Sequence, residues 1–264
     1  MYTGRPFPDI KIPGQGKMKI SIDNLSFGFS GVSIFNNLNA EFESGPLPLV
    51  VLGPSGCGKT TLLKLLGGLL KPGSGKIRFI EEGAATTDER PKTAFIFQES
   101  RLLPWLTVLQ NVSLPLEKIF GREEGRERAR RFLSLVFLED KQAAYPKELS
   151  GGQAQRVSMA RAFAWPAPAI FMDEPFQSLD VPLRINLMDL CLSLLSAEKR
   201  LFIAVTHDPR EAVYLGGRII ILGRPGEGIV FDRVVDLPPE DRAYGSAAAG
   251  KLEKEMIGVL ARSL

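Results

Sequence analysis

Three short apolar runs punctuate the chain, at 47–52 (Leu-Pro-Leu-Val-Val-Leu), 169–172 (Ala-Ile-Phe-Met) and 201–206 (Leu-Phe-Ile-Ala-Val-Thr). Runs this short and this free of polar residues predict buried strands of a parallel sheet. The stretch 61–66 (Thr-Leu-Leu-Lys-Leu-Leu) after the first run suits a helix, and helical patterns dominate from about residue 100 to Phe163. Within them, 122–131 mixes Arg and Glu at helical spacing, which favours a solvated helix face over a nucleic-acid patch. Leu252, Met256 and Leu260 fall on one face of a C-terminal helix that is expected to dock on the rest of the chain. Residues 1–17, rich in Pro and Gly, predict an irregular arm. Strands alternating with helices give an α/β class.

Composition narrows this picture. A chain of 264 residues with 44% hydrophobic positions has room for one large α/β domain. Its formal net charge of +3 indicates neither a nucleic-acid stripe nor a polybasic membrane patch. There is no apolar run of the roughly 18 residues that a bilayer requires, and the N-terminus lacks a signal-peptide core, so the expected location is the cytosol. Cys57 and Cys191 lie far apart in sequence and are expected to stay unbridged there. No internal repeat or low-complexity tract is present.

The chemistry is densest after the first run, in Gly53-Pro54-Ser55-Gly56-Cys57-Gly58-Lys59-Thr60. This is the G-x-x-x-x-G-K-[ST] phosphate loop, in the strand–loop–helix context that it needs. A triphosphate crowds about four negative charges together, so its site needs many donors and a backbone that approaches closely. Gly53, Gly56 and Gly58 permit that approach and let successive N–H groups converge on the β-phosphate at a helix N-terminus. Lys59 is then placed to bridge the β- and γ-phosphates, Thr60 to ligate Mg²⁺, and Thr61 to touch the α-phosphate. Cys57 occupies a free position of the motif and reads as filler.

The second apolar run ends in Asp173-Glu174, at the end of a strand where open α/β sheets bind ligands. Asp173 is placed to hold Mg²⁺ through water, and Glu174, one residue on, to polarise the water that attacks the γ-phosphorus. The third run ends in His207, the only histidine of the chain. It is a candidate donor to the γ-phosphate or to the attacking water, since both of its protonation states are accessible near neutral pH.

With Leu149-Ser150-Gly151-Gly152-Gln153 lying between the loop and the acidic pair, the chain from about Ile20 to Asp236 resembles the nucleotide-binding subunit of ATP-binding-cassette (ABC) transporters. The resemblance implies a P-loop NTPase core lobe, an antiparallel β subdomain and an inserted helical subdomain at about 100–163, all within 18–240, followed by a helical tail at 241–264. By the same likeness, Phe29 stacks on adenine, with Phe27 as a nearby rival. Gln98 is the glutamine that touches Mg²⁺ or the attacking water and joins the two lobes. Residues 149–153 are the signature, Asp173 and Glu174 close the Walker B strand, Leu179-Asp180 form the D-loop, and His207 is the switch histidine. Ser150 is a good helix N-cap, and Gly151 and Gly152 expose N–H groups, so the signature forms a second anion site. The likeness places that site, with Gln153, over the γ-phosphate bound by a second copy of the chain, giving two protomers that sandwich two ATP molecules. The tetrapeptide Gln177-Ser178-Leu179-Asp180 departs from the usual Ser-Ala-Leu-Asp.

In relatives a helix of a membrane permease enters the groove beside Gln98. Leu102, Leu103, Pro104 and Trp105 either line that groove or pack the helical subdomain. Residues 206–212 and 222–226 are similar to those of importers for nitrate, sulfonate, taurine and related solutes. The implied protein is a transport ATPase held peripherally on the inner face of the membrane by permease subunits, served by a solute-binding protein and needing no nucleic acid. The alternative is a non-transport cassette acting as a nucleotide-dependent switch in DNA repair or translation.

Overall fold

The structure, a computed structural model, describes residues 17–81, 90–198 and 200–263. The irregular arm expected at 1–17 falls, apart from Lys17, outside the described residues. Among the described residues the strands are β1 (Met18–Phe29), β2 (Val32–Glu43), β3 (Leu49–Leu52), β4 (Ser74–Glu81), β5 (Thr93–Ile96), β6 (Ala169–Asp173), β7 (Leu201–Val205), β8 (Arg218–Leu222) and β9 (Ile229–Val234). The α-helices are α1 (Lys59–Leu66), α2 (Val108–Phe120), α3 (Arg122–Leu135), α4 (Gly151–Ala164), α5 (Val181–Glu198), α6 (Pro209–Leu215) and α7 (Ala247–Arg262).

Two sheets result. The larger runs β5-β6-β7-β3-β8-β9, parallel as far as β8 with antiparallel β9 at one edge, and the smaller is the antiparallel sheet β2-β1-β4. All three apolar runs became central strands: β3, β6 and β7 are buried at every position. Strand side chains alternate between faces, and here both faces are covered. Val50, Leu52, Ile170, Met172, Phe202 and Ala204 join one core with helices α2 to α7. Leu49, Val51, Phe171, Ile203 and Val205 join the other, with α1 and the antiparallel sheet. A run with no polar position is the sequence form of a strand with no wet face.

The helical insertion begins with α2, capped by Thr107, which accepts from the Gln110 N–H while the Gln110 side chain accepts from the Thr107 N–H. The segment before α2 is held by buried Asn111, whose amide accepts from the Leu103 N–H and donates to the carbonyls of Leu103, Leu106 and Thr107. The mixed-charge stretch is α3, and most of its charges do face solvent. Arg128 is an exception to that expectation: its Nε donates to the Ala164 carbonyl at 2.8 Å and its guanidinium lies 4.9 Å from the Phe120 ring centroid, binding α3 to the end of α4. At the C-terminus Leu252 and Met256 of α7 are buried in the first core, with Leu260 packed against it.

Candidate functional site

The C-terminal ends of β3, β6 and β7 lie side by side, and each opens into a loop carrying one group of the expected chemistry. Beyond β3, Gly53, Gly56 and Gly58 have φ of 155°, 77° and 106°, values that side-chain-bearing residues rarely adopt. The close approach is real as well: a Cβ on Gly53 would meet the Leu222 carbonyl oxygen at 2.7 Å. Gly58 precedes α1 without a side-chain cap, so the first N–H groups of the helix stay available to an anion. Lys59 is buried and its Nζ donates to the carbonyls of Gly53 and Pro54 at 2.8 and 2.9 Å. Those bonds hold the ammonium within the loop's arc. Ser55 and Gly56 are exposed at the rim, with Pro54, Thr60 and Thr61 half-buried. The Cys57 side chain turns away from the loop's open side: it is buried in the second core, and burial pushes its thiol pKa up.

Thr60 and Asp173 meet across the gap between β3 and β6. The Thr60 hydroxyl lies 3.0 and 2.8 Å from the two carboxylate oxygens of Asp173, which is 6% exposed. Burial pushes the Asp173 carboxyl above its ordinary range, against the lowering effect of the Thr60 hydrogen bond. One residue on, Glu174 has a left-handed φ of 47° and its N–H donates to the Val205 carbonyl. This turn, unusual for a residue with a side chain, takes Glu174 out of the alternation of β6. Its Oε2 lies 3.0 Å from His207 Nδ1 beyond β7. A carboxylate only accepts, so Nδ1 carries the hydrogen in this pair.

Gln98, in the loop after β5, donates through Nε2 to Gln177 Oε1 at 3.0 Å. Gln177, one of the two positions at which 177–180 departs from Ser-Ala-Leu-Asp, is therefore the side chain that holds Gln98. Asp180 accepts from the Leu183 N–H at 3.0 Å, at the start of α5. Ser150 caps α4 in a reciprocal pair with Gln153. Gly151 and Gly152 in the first turn have no intrahelical acceptor for their N–H groups, and a Cβ on Gly151 would meet nothing within 4 Å. Phe29 is 50% exposed and Phe27 stands edge-on to it, 4.9 Å between centroids, half-buried against the second core. The exposed ring is the one free to stack.

The structure thus brings Lys59, Thr60, Asp173, Glu174 and His207 to one end of the sheet and joins Gln98 to Gln177. Among the described residues of a single chain no hydrogen bond or ion pair links 150–153 to the phosphate loop. Three groups escaped the sequence reading. The buried Gln155 side chain donates to the Phe97 carbonyl at 2.9 Å, and Arg161 donates to those of Ser100 and Arg101 at 3.0 and 3.1 Å. Together they clamp the loop that carries Gln98 onto the signature helix. Arg184 ties the D-loop to the segment after His207. Polar residues set among the apolar positions of the helix, whose second half is mostly buried, are the signal for the first two.

The family model described as ABC transporter matches residues 35–177, which takes in the phosphate loop, Gln98, the signature and the acidic pair. The chain belongs to the ABC transporter family. Its cassette is 40% identical over 245 residues to the aliphatic sulfonates import ATP-binding protein of Bacillus cereus, covering 91% of this chain and 95% of that one. It is also similar to a solved dimeric bacterial ABC transporter cassette, with a TM-score of 0.72 and 32% identity over 83% of this chain and the whole of that one. A third likeness is to a dimeric cassette in a post-hydrolysis state bound to ADP and Pi, with a TM-score of 0.71, 31% identity and the same coverage. The ABC cassette's fold class is therefore as expected, including the antiparallel β subdomain.

Proposed function

We propose that the protein is the ATP-hydrolysing subunit of an ABC importer, and that two copies close on two ATP molecules to drive uptake of a small solute through separate membrane subunits. The observation that carries the hydrolytic part is the convergence of buried Lys59, the Thr60–Asp173 pair and the Glu174–His207 pair on one end of the sheet. In the phosphate loop, Lys59 exchanges its bonds to the Gly53 and Pro54 carbonyls for the β- and γ-phosphate oxygens, and the Gly56, Gly58 and Lys59 N–H groups point at the β-phosphate. The Phe29 ring offers a flat apolar face to the adenine.

The Thr60 hydroxyl and the Asp173 carboxylate form a hard-oxygen pair of the kind Mg²⁺ takes when most of its remaining ligands are phosphate and water. A metal held by these two residues would supply charge neutralisation for the phosphates. Gln98 would add an amide oxygen to the same position on leaving Gln177.

Glu174 polarises the attacking water. His207 holds one face of that carboxylate through Nδ1, so its Nε2 donates to a phosphate only as imidazolium, with Glu174 as counter-charge. Gly151 and Gly152 of the second copy supply the donors that the single chain lacks, and Ser150 and Gln153 fix the helix end that presents them.

For the cargo, the name of the B. cereus relative supports an aliphatic sulfonate or a chemically similar anion. For the membrane partner, Trp105 is 70% exposed and Pro104 is exposed beside it, while Leu102 packs against the core. Trp105 and Pro104 are thus offered to a permease helix. Attachment to that permease would keep the protein at the inner face of the membrane. Among the described residues no helix is long and apolar enough to cross a membrane.

The deciding experiment is Glu174→Gln. The amide can keep its bond to His207 but has lost the proton acceptor, so ATP binding persists while turnover falls by about a hundredfold to ten-thousandfold. The trapped form accumulates as a dimer. Turnover at the parent rate would remove Glu174 from its role. Loss of growth on an alkanesulfonate as sole sulfur source, on deletion of the gene, tests the cargo.

A further inference from the structure

His207 is the exposed end of a buried relay. Thr206, the residue before it, is 3% exposed; its N–H donates to the Val51 carbonyl and its hydroxyl donates to Glu211 Oε2 at 2.5 Å. The same hydroxyl accepts from the Asp208 N–H at 3.1 Å, so the backbone is anchored on both sides of the imidazole. Glu211, 4% exposed, in turn receives Arg184 Nη1 on Oε1 at 3.1 Å, and Asp208 Oδ2 lies 3.6 Å from the same nitrogen. The other arm of the guanidinium, Nη2, donates to the Leu179 carbonyl at 3.1 Å. Leu179 precedes Asp180, whose carbonyl accepts from the Arg184 N–H and whose carboxylate caps α5.

One planar cation therefore spans two loops: the loop that ends β7 with His207, and the D-loop, which begins beside Glu174. We propose that Arg184 is a positioning residue that joins the Asp180 loop to His207 through Glu211 and Thr206, fixing where the imidazole stands against Glu174. Fold stability alone does not call for this group, since a buried ion pair is on balance no better than well-packed apolar side chains. What the fork of a guanidinium adds is direction, because its two arms hold two carbonyl or carboxylate partners at a set angle. A Lys would reach one of them. The D-loop also leads back through Ser178, whose carbonyl lies against Gly152, to the helix that presents the signature. Movement of that helix on dimer closure is thereby communicated to the histidine, through packing at Gly152 and through the hydrogen bonds and ion pairs of Arg184 beyond it.

This inference rests on the roles given above to Glu174 and His207, and its test separates the two. Arg184→Met with Glu211→Met replaces the ion pair by apolar side chains, and Arg184→Lys keeps the charge but not the fork. Each is assayed for steady-state ATP hydrolysis, and the ring nitrogens of the one histidine in the chain are followed by NMR at fixed pH. The paired Met variant is expected to keep KM for ATP within about twofold while kcat falls by about tenfold or more, as for a misplaced reacting group. The Nδ1 signal moves with it, and Arg184→Lys falls between. Parent kcat with an unmoved ring signal overturns the proposal, whatever happens to the melting temperature. Should the Met pair fail to fold, the same readings on Arg184→Lys decide, and parent values there overturn it too. His207→Ala is the control: hydrolysis at the parent rate in that variant would bring down the underlying reading, whereas its loss beside an unaffected Arg184 series refutes the coupling alone.

Discussion

Gly151→Asp separates what this chain does alone from what it does in pairs. The position is exposed in the first turn of α4, and a Cβ built there meets no atom within 4 Å. In the single chain an aspartate costs nothing sterically. Exchanging glycine for aspartate changes helix propensity little, and the negative charge at the positive end of the dipole is a gain of about 0.5 kcal/mol. The melting temperature should hold or rise slightly.

In the closed dimer the same carboxylate would face the terminal phosphate held by the partner. Two unit charges about 4 Å apart at an effective dielectric near 20 repel by about 4 kcal/mol. That is about a thousandfold in the dissociation constant at each site. The assay is light scattering on the Glu174→Gln form with excess ATP and magnesium, where the mass should double from 29.0 kDa. With Gly151→Asp added, it should stay at the single-chain value at the same concentration, while ATP still binds. A doubled mass would show that Gly151 faces no phosphate. A markedly lower melting point would show that its surface is not open. Gly152 is a poorer choice, because a Cβ there would crowd the Ser178 carbonyl and Leu179 at 3.2 and 3.3 Å and disturb the D-loop of its own chain.

Lys59→Ala leaves the phosphate loop without its buried ammonium, and ATP affinity should drop by about a hundredfold in nucleotide titrations, in the range of a charge-assisted contact of 1.5–3 kcal/mol. Phe29→Ala should raise KM for ATP by about tenfold, the scale of one base stacked on an aromatic ring, while Phe29→Tyr stays near the parent. If Phe29→Ala is silent, the half-buried Phe27 takes the role. Gly67→Ala tests packing away from the chemistry: its Cβ would lie 2.0 and 2.2 Å from atoms of the Phe95 ring. Overpacking of this kind should cost about 1–3 kcal/mol and lower the melting temperature by several degrees, with KM unchanged.

The buried strands were legible because a parallel sheet covered on both faces admits no polar position, so β3, β6 and β7 read as unbroken apolar runs. The phosphate loop was legible because phosphate binding restricts residue type position by position, and glycine has few substitutes at a positive φ. Roles for Thr60 and Asp173 were expected from residue type alone, but their meeting at 2.8 Å across 113 residues of chain was not contained in either motif. Gln155 and Arg161 lay hidden for a related reason. Their bonds go to backbone carbonyls, which every residue carries, so no sequence pattern marks the acceptor. Arg128 shows the reverse error, since a charge in a mixed-charge run looks solvated until a neighbouring helix end supplies a carbonyl for it.

The chain alone, then, determined which strands lie inside, which loop has the backbone to hold a phosphate, and which acidic, amide and imidazole groups are available, because each of these depends on local backbone geometry or on side-chain chemistry at one place. Only the tertiary structure decided that Glu174 turns toward His207, that Gln177 holds Gln98, and that Arg184 spans the D-loop and the loop of the histidine. Those are contacts between segments far apart in the chain. They exist only once the two cores have closed around the sheet and brought the ends of its strands together.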